Sequence, residues 1–350
     1  MHYPAIYINK TKLYMSIDKL GCTVNIATEE HTSIIDNLNR LHSLSKYKSS
    51  KSFQPGYRKS IKFELPSRNM KGLKRVPTSV TISLDPGKRK DKKRPNFARI
   101  EYNPSVLSRN GHKRLRNILC TVFNLKDLAK IYYESRITLI DITIDIFNHS
   151  PEDFWYMIPR SFCGGIFFNK DGLISTIYTG SNRSKIQLTS YEKMNQLRSK
   201  KRILEKVSGM PDTLLRLEAT LRDTDYYIFE APTINNPFGK IQLFKPLNEL
   251  EGVTTCFFDS VRFRGLKSAM KLLSNEEKKV VKKALKRRCI TEFSSDELWL
   301  YWEETVNRSL YSIYPKTDYK RFKELFTNHT KKRNKKPKSK SRYGFTRTKF

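Results

Sequence analysis

The sequence predicts an α+β fold, with a central antiparallel β-sheet, flanking helices and a mostly helical C-terminal region. Apolar and polar residues alternate, as in strands with one buried face, in SVTISLD (79–85), FARIEYN (97–103), RITLIDITIDIF (136–147) and TLLRLEATLRD (213–223). A Pro-Gly turn and a basic loop separate the first two segments, which is typical of a β-hairpin. In the C-terminal third, 274–288 and 295–314 have helical spacing.

The N-terminal half contains two further kinds of segment. The runs YPAIYINKTKLYMSI and CTVNIAT are strand-like, and a polar loop, SLSKYKSSKSFQPG, follows them. The segment 105–135 has the spacing of a helix, with Asn110-Gly111 as a break near its start. We therefore expect this helix to pack on the sheet.

The middle of the chain predicts two more helices and two more strands. SPEDFWYMIPR (150–160) should begin a helix, because Ser150 suits the N-cap and a proline suits the first turn. GIFFN and LISTIYTG are strand-like, and a helix is expected from Tyr191 to about Val207.

Composition shifts divide the chain into four predicted segments. They are an N-terminal mixed α/β segment (1–69), a core of strands and helices (70–225), a largely helical accessory region (226–330) and a disordered basic tail (331–350). The tail is rich in Lys and Arg and has little that would pack.

The charge balance points to a polyanionic partner. The 350 residues include 68 Lys and Arg against 34 Asp and Glu, a net charge of +34, while 38% of the residues are apolar. A chain of this composition buries a core, and its excess charge favours nucleic acid, because neutralising phosphates releases counterions. No segment has the length and apolar character of a membrane span, and the five scattered cysteines fit a reducing cytosol. We therefore expect a cytoplasmic protein with no membrane partner.

Three of the predicted strands carry carboxylates on their polar faces. These residues are Glu101, Asp141, Asp145 and Glu218. A half-solvated antiparallel sheet explains each strand taken alone. If the strands are adjacent, however, the carboxylates converge, and oxygen ligands on rigid strands suit Mg²⁺ or Mn²⁺. A divalent ion in a basic protein favours phosphodiester chemistry.

Tyr191 follows a strand-like run and precedes a charged helical run. A tyrosine in that place is most often a packing residue. A phenol has a pKa of about 10, so it attacks a phosphate at neutral pH only if neighbouring groups activate it. Lys185 and Lys193 are close in sequence and would favour such activation. Local sequence leaves both interpretations open.

At this point the order of motifs resembles a known family. The chain looks like the filamentous-phage gene II/X replication proteins and the related rolling-circle plasmid initiators. The resemblance covers roughly residues 78–223. It rests on ARIEYNPSVLSRNGH (98–112), LID (139–141), TIYTGSNRS (176–184), YEK (191–193) and LLRLEATLR (214–222). The chain lacks the His-x-His strand that often holds the metal in the broader superfamily of tyrosine nucleases.

The resemblance implies a rolling-circle initiator nuclease fold and a site- and strand-specific DNA nickase. It makes 70–225 the catalytic nickase core and 1–69 a part of the nuclease domain. Tyr191 matches the family's nucleophile, which would form a covalent 5′-phosphotyrosine, free a 3′-OH and later rejoin the strand. Lys193 matches the lysine two residues on. Glu101, Asp141 and Glu218 match acidic strand positions and would bind Mg²⁺ or Mn²⁺, with Asp145 and His112 as further candidate ligands. Gly111 and His112 match a Gly-His pair of unassigned role. With one tyrosine in the motif window, a single-nucleophile scheme follows as a hypothesis.

Several basic residues are candidate DNA contacts. They are Arg183, Lys185, Arg216 and Arg222 near the motifs, and Lys88, Arg89, Lys90, Lys92, Lys93 and Arg94 in the hairpin loop. The loop and the tail would bind phosphates without reading sequence. The implied partners are origin DNA, single-stranded or supercoiled, and a host helicase and polymerase in a bacterial cytoplasm.

Other functions predict different behaviour. A non-catalytic DNA-binding protein, such as a repressor or packaging factor, would bind nucleic acid in a salt-sensitive manner without a metal or a covalent adduct. A tyrosine recombinase requires a His-x-x-Arg pair, which the chain does not contain. A protein that binds a membrane surface typically has a basic helix with aromatic anchors. Residues 274–288 are basic but contain no aromatic residue.

Overall fold

The computed structural model describes residues 5–69, 72–74, 78–86, 96–126, 128–158, 163–181, 183–203, 205, 210–288, 294–310 and 313–315. It confirms the predicted α+β class. A large antiparallel sheet carries helices on one face, and the C-terminal region is mostly helical. The basic hairpin loop and the C-terminal tail lie outside the described residues.

The strands are β1 Ile6–Ile8, β2 Thr11–Ile26, β3 Ser49–Lys51, β4 Tyr57–Leu65, β5 Thr78–Pro86, β6 Asn96–Tyr102, β7 Arg136–Phe147, β8 Trp155–Met157, β9 Cys163–Phe168, β10 Ile174–Thr179, β11 Ile186–Glu192, β12 Leu214–Arg222 and β13 Gln242–Phe244. Within the described residues the large sheet has the order β3-β4-β5-β6-β2-β7-β12-β11-β10-β9, with β1 paired to β2. The short strands β8 and β13 pair with each other in a separate sheet. The predicted hairpin is confirmed, since β5 and β6 are antiparallel neighbours.

The helices are α1 Thr28–Ser43, α2 Arg109–Val122, α3 Ala129–Glu134, α4 Lys193–Ser199, α5 Thr255–Arg264, α6 Leu266–Ala269, α7 Asn275–Arg288, α8 Ser295–Trp299 and α9 Trp302–Ser309. The predicted C-terminal helices are confirmed by α7 and by α8 with α9. The sequence patterns did not indicate α1, whose buried side chains are Ile34, Leu38 and Leu41.

The alternation in the central strands separates an apolar face from a polar face. In β7 the side chains of Ile140, Ile142 and Ile144 are fully buried in the main core, which also includes apolar residues of α2, α3 and α9. Asp141 and Asp145 point to the other side of the sheet. Each buried Ile contributes about 1.5–3 kcal/mol of transfer free energy, so one register is strongly preferred over a one-residue slip.

The first turn of helix α2 packs closely against the backbone at Pro66. The Ser108 hydroxyl caps the helix by accepting a hydrogen bond from the Gly111 amide at 3.0 Å. A Cβ atom on Gly111 would lie 2.2 Å from the carbonyl oxygen of Pro66. Glycine is therefore required by packing, and the predicted break at Asn110-Gly111 is wrong, because both residues lie in the first turn of α2.

One sequence-based helix prediction is wrong, and another has the wrong bounds. Residues Pro151–Asp153 form a single 3₁₀ turn, and the chain then enters β8. The Trp155 ring packs against Phe257 and Phe258 of α5, so tertiary packing outweighs the local capping signal. The helix predicted from Tyr191 to about Val207 is observed as α4, which begins at Lys193 and ends at Ser199. Tyr191 itself lies in β11, one residue before the strand ends.

A second apolar cluster underlies the C-terminal helices. It is formed by Phe244, Phe257, Val261, Leu266, Ala269, Leu273, Val281 and Leu285. The Phe263 ring of α5 contacts Phe168 of β9, with centroids 5.3 Å apart. This contact connects α5 to the outer strand of the large sheet.

Candidate active site

The polar face of the sheet brings several of the predicted site residues together. Strands β7 and β12 are neighbours, with Asp145 opposite Arg216 and Asp141 opposite Thr220. Strand β11 pairs with β12 on its other side, with Tyr191 opposite Arg216. Because directly opposed residues in antiparallel strands share a face, Tyr191, Arg216 and Asp145 form one row across three strands.

Strand β2 lies between β6 and β7, which the sequence patterns did not predict. Glu101 of β6 is consequently one strand away from β7. Its carboxylate binds Lys19 at 2.7 Å and Arg99 at 2.9 Å. Burial alone would raise the pKa of Glu101, but Lys19 and Arg99 lower it below its usual value. Glu101 is thus an ionised carboxylate whose charge is balanced by Lys19 and Arg99.

Asp18 of β2 is a functional candidate that the sequence patterns missed. The pairing of β2 with β7 shifts register between Ile17 and Lys19, so Asp18 is the extra residue of a β-bulge. The bulge places the Asp18 carboxylate 3.6 Å from Nη1 of Arg216, and the Ser105 hydroxyl donates to it at 2.9 Å. The sequence does contain a sign of this bulge, since two consecutive polar residues, Asp18 and Lys19, interrupt the alternation of apolar and polar residues.

Arg216 is the buried cation of the site. Its Nε and Nη2 atoms donate to the two oxygens of Asp145 at 2.6 and 2.7 Å, and the residue is 9% exposed. Burial opposes the charged form, yet Asp145 and Asp18 outweigh it and raise the pKa of Arg216 above its usual value. The same guanidinium helps to lower the pKa of Asp18, which burial alone would raise. The bidentate pair fixes the guanidinium in one orientation.

The Tyr191 hydroxyl faces an acceptor and two cations. It donates to Oε2 of Glu218 over 3.4 Å, and Nζ of Lys193 lies 5.6 Å from the centre of its ring. Burial raises the pKa of Tyr191; Arg216 partly opposes this, and Glu218, Asp18 and Asp145 add to it. The phenol is therefore protonated at neutral pH and needs a base to become a nucleophile.

Lys193 is positioned by a buried capping residue. Glu192, 5% exposed, is the N-cap of α4 and accepts hydrogen bonds from the amides of Met194, Asn195 and Leu214. These hydrogen bonds fix the backbone where β11 ends and α4 begins, and so fix the position of Lys193. Its Nζ donates to Oε1 of Gln196 at 2.7 Å. Burial lowers the pKa of Lys193 to about 8, with Arg216 adding to the shift.

Asp141 and Glu218 are carboxylates with raised pKa values. Burial and then the nearby Asp141 charge raise the pKa of Glu218 to about 7. Burial likewise raises the pKa of Asp141, whose Oδ1 is buried and has no hydrogen-bond partner within the described residues. They occupy diagonal positions on adjacent strands, because Glu218 is opposite Thr143 and Asp141 is opposite Thr220.

These two carboxylates fit a divalent cation better than the other predicted ligands. Asp145 and Glu101 already contact cations. His112 lies on α2, where burial and then Arg68 lower its pKa to about 4, and no carboxylate contributes to that shift. Across the described ranges, no three or more His, Cys, Asp or Glu side chains are grouped as metal ligands. Magnesium is nevertheless often held by one or two carboxylates with water and substrate phosphate, and the partnerless Asp141 oxygen suits that arrangement.

The basic residues predicted to bind DNA are in three situations. Arg183 and Lys185 are exposed in the β10–β11 turn. Arg222 is partly buried at the end of β12 and donates to Gln187 at 2.9 Å, while Arg216 is engaged as described. The six residues of the hairpin loop lie outside the described part of the chain.

A separate cavity lies on the opposite face of the sheet. It has a volume of about 460 Å³ and is lined by residues that include Ile177, Phe258 and Arg262. Ile177 is opposite Ser190, so it points away from the Tyr191 side of the sheet. This cavity therefore contributes nothing to the row of polar residues.

Comparison with known proteins adds little to this geometry. No family model matches the chain, and no curated protein matches it. Among solved structures, the chain is similar to a rolling circle replication initiator protein from Geobacillus stearothermophilus, with a TM-score of 0.35 and 14% sequence identity over 73% of this chain and 98% of that one. A likeness at this level carries no functional argument, so the function is argued from the site. Within the described residues, no helix is both long and apolar enough to cross a bilayer.

Proposed function

We propose that this protein is a DNA nickase that starts and ends rolling-circle replication through a covalent tyrosine intermediate. The observation that carries the proposal is the placement of the Tyr191 hydroxyl against Glu218, with Arg216 and Lys193 beside it. A nucleophile, a base and two cations around one point suit attack on a phosphodiester. The net charge of +34 fits a DNA substrate.

In the proposed reaction, the Tyr191 oxygen attacks the phosphorus and Glu218 accepts the phenolic proton. In the metal-free protein Glu218 has a pKa of about 7, which suits a general base at neutral pH; a bound cation would lower that pKa and keep the carboxylate ionised, ready to accept the proton. The bond from phosphorus to the 3′ oxygen breaks, and that oxygen leaves as a 3′-OH after taking a proton from water. The 5′ phosphate stays on Tyr191 as a phosphodiester. Attack by the 3′-OH in the reverse direction reseals the strand.

The cations stabilise the charge that develops on the phosphate. Nη1 of Arg216 is the guanidinium nitrogen that does not bond Asp145, and it faces Asp18 at 3.6 Å. Lys193, the first residue of α4, has its Nζ 5.6 Å from the centre of the Tyr191 ring. A preorganised donor of this kind is worth about 2.7–4 kcal/mol of transition-state stabilisation in known enzymes.

Asp141 and Glu218 are the residues that would hold a Mg²⁺ or Mn²⁺ ion. When bound, such an ion would polarise a non-bridging phosphate oxygen and offset its charge. The proposed substrate is origin DNA, single-stranded or supercoiled, in a bacterial cytoplasm, with a host helicase and polymerase using the 3′-OH. Membership of the gene II/X group remains part of the proposal.

The deciding experiment compares wild type with Tyr191→Phe on labelled single-stranded oligonucleotides that tile the replicon, with Mn²⁺ or Mg²⁺. We expect a protein–DNA adduct on a denaturing gel in wild type that is absent in Tyr191→Phe. Tyr301→Phe, which removes a hydroxyl from the surface of the C-terminal helices, is the matched control and should form the adduct normally. Salt-sensitive binding without an adduct on any oligonucleotide would favour a non-catalytic repressor or packaging factor.

A further inference from the structure

Two exposed aromatic side chains extend the polar face beyond Tyr191. Thr176 of β10 is opposite both Tyr191 of β11 and Phe167 of β9, so the three residues form a row across the sheet. Tyr178 stands in the next row, opposite Thr189. Since opposed residues share a face, Phe167 and Tyr178 project from the same side of the sheet as the Tyr191 hydroxyl.

These rings are exposed although the strands beneath them are packed. Phe167 is 56% exposed and Tyr178 is 37% exposed. Their centroids are 5.6 Å apart, and the rings are nearly perpendicular. On the opposite face, Ile177 is buried and Phe168 packs on Phe263 of α5. The hairpin therefore presents aromatic surface to solvent from a supported strand pair.

A glycine shapes the surface beside the rings. Gly165 is opposite Tyr178, and a Cβ atom on Gly165 would lie 3.1 Å from the Phe167 ring. The absence of a side chain at Gly165 lets the Phe167 ring lie close to the strand. A side chain at this place would lift the ring from the sheet.

Positive charge borders the aromatic pair. Arg183 and Lys185 are exposed in the turn that joins β10 to β11, and Arg222 lies beside that turn, donating to Gln187. Adjacent strands are about 4.8 Å apart, so Phe167 is roughly 10 Å from Tyr191 along the row. Rings on a sheet next to cations form the combination that binds unpaired bases and their phosphates.

We propose that Phe167 and Tyr178 are a stacking platform for the bases of a single-stranded DNA segment next to the scissile phosphate. The inference rests on the proposed nicking function and names a feature of its substrate, which is unpaired bases. Stacking orders the strand over the outer hairpin, and Arg183 and Lys185 contact its phosphates. The platform also favours melted over paired DNA, because bases in a duplex cannot expose their faces to these rings.

The test measures binding of oligonucleotides by full-length protein carrying Tyr191→Phe, so that cleavage does not interfere. Phe167→Ala and Tyr178→Ala should each weaken binding of a single-stranded oligonucleotide by about 5- to 150-fold. Phe167→Trp and Tyr178→Phe should retain binding. Phe53→Ala removes an 87% exposed ring elsewhere in the chain and is the matched control.

Abasic oligonucleotides separate stacking from charge. On an abasic strand of equal length, Phe167→Ala and Tyr178→Ala should bind as well as the Tyr191→Phe parent. The salt dependence of binding should be the same for all variants, since no phosphate contact is removed. A loss of affinity that is equal on abasic and normal strands would overturn the platform.

The outcomes also distinguish the platform from the nickase. Adduct formation is measured in protein that retains Tyr191. If Phe167→Ala and Tyr178→Ala form adducts like wild type, and in the Tyr191→Phe protein they do not weaken binding, the platform is wrong and the nickase stands. If no adduct forms but the variants lose affinity only for strands with bases, the platform stands and the nickase is wrong. A change in oligomeric state in Phe167→Ala with unchanged DNA binding would instead identify a protein interface and overturn the proposal.

Discussion

The Tyr191 hydroxyl donates to Oε2 of Glu218 across the β11–β12 pair, over a distance of 3.4 Å. The contact is diagonal, because Tyr191 is directly opposite Arg216 and Glu218 is opposite Thr189. It places the nucleophile that we propose beside the group that would accept its proton. A slip of one residue in the pairing of these strands would move one partner to the apolar face and separate them.

Lys193→Arg should change the pH dependence of adduct formation. Lys193 has a pKa of about 8, so wild type loses this positive charge as the pH rises through 8. A guanidinium stays protonated, and the variant should keep its rate to higher pH. The measurement is the rate of covalent adduct formation between pH 6 and 9.5 at saturating Mg²⁺, which stays in solution over this range.

Lys200→Arg provides the control for that experiment, since Lys200 lies at the C-terminal end of the same helix, away from Tyr191. Its profile should match wild type. If the rate of Lys193→Arg declines over the same pH range as wild type, Lys193 is not the titrating cation.

Glu218→Gln should stabilise the metal-free protein at alkaline pH. The pKa of Glu218 in the folded protein, about 7, is above its ordinary value of 4.5. Its contribution to the free energy of unfolding is thus present below pH 4.5 and is lost as the pH rises through 7. Roughly 3 kcal/mol is involved, so the stability of the variant relative to wild type should rise by about this much between pH 5 and 8.

Urea unfolding at several pH values in a chelating buffer measures the effect. Glu64→Gln changes an exposed carboxyl on β4 and should follow wild type throughout. An equal loss of stability between pH 5 and 8 in Glu218→Gln and wild type would show that Glu218 is not buried next to like charge. Below pH 5, protonation of Asp18 and Glu101, whose pKa values are lowered, should destabilise every variant.

Mn²⁺ should raise the melting temperature at pH 8 through Asp141 and Glu218. A cation binds the ionised carboxylates of the folded state, and at 100 times its Kd it stabilises by about 2.7 kcal/mol. The shift should shrink at pH 5, where Glu218 is protonated. Asp141→Asn should abolish it, and Asp225→Asn, at an 81% exposed carboxylate, should leave it intact. An undiminished shift in Asp141→Asn would place the ion elsewhere.

Breaking the Arg216–Asp145 pair should destabilise the fold strongly. Asp145→Ala leaves a buried guanidinium that keeps a longer ion-pair contact with Asp18 at 3.6 Å, at a cost of about 3–5 kcal/mol. Replacing both residues, as Asp145→Leu with Arg216→Met, should recover most of that loss while abolishing adduct formation. Chemical denaturation gives the free energies.

The exposed pair of Arg136 and Asp225 is the comparison for this prediction, with side chains that are 49% and 81% exposed. Arg136→Ala should cost no more than about 1 kcal/mol for the ion pair. Equal costs at the two pairs would mean that the guanidinium of Arg216 is solvated.

The alternation of apolar and polar residues was enough to assign the faces of the central strands. In β7 it separated Ile140 and Ile142 from Asp141 and Asp145, and the structure confirms both sides. The period of two is a local property of an extended chain, so it is readable from sequence. The positive charge is equally local, since it is a sum over residues.

The neighbours of each strand were decided only by the tertiary structure. Long-range pairing inserts β2 between β6 and β7, which separates Glu101 from Asp141 and brings in Lys19. The bulge at Asp18 turns its carboxylate toward Arg216. Local capping signals at Ser150 gave way to the packing of Trp155 on α5. Strand order depends on contacts between residues far apart in the chain, and no local pattern carries that information. The sequence by itself therefore determined which residues share a polar face, and the tertiary structure decided which of them meet.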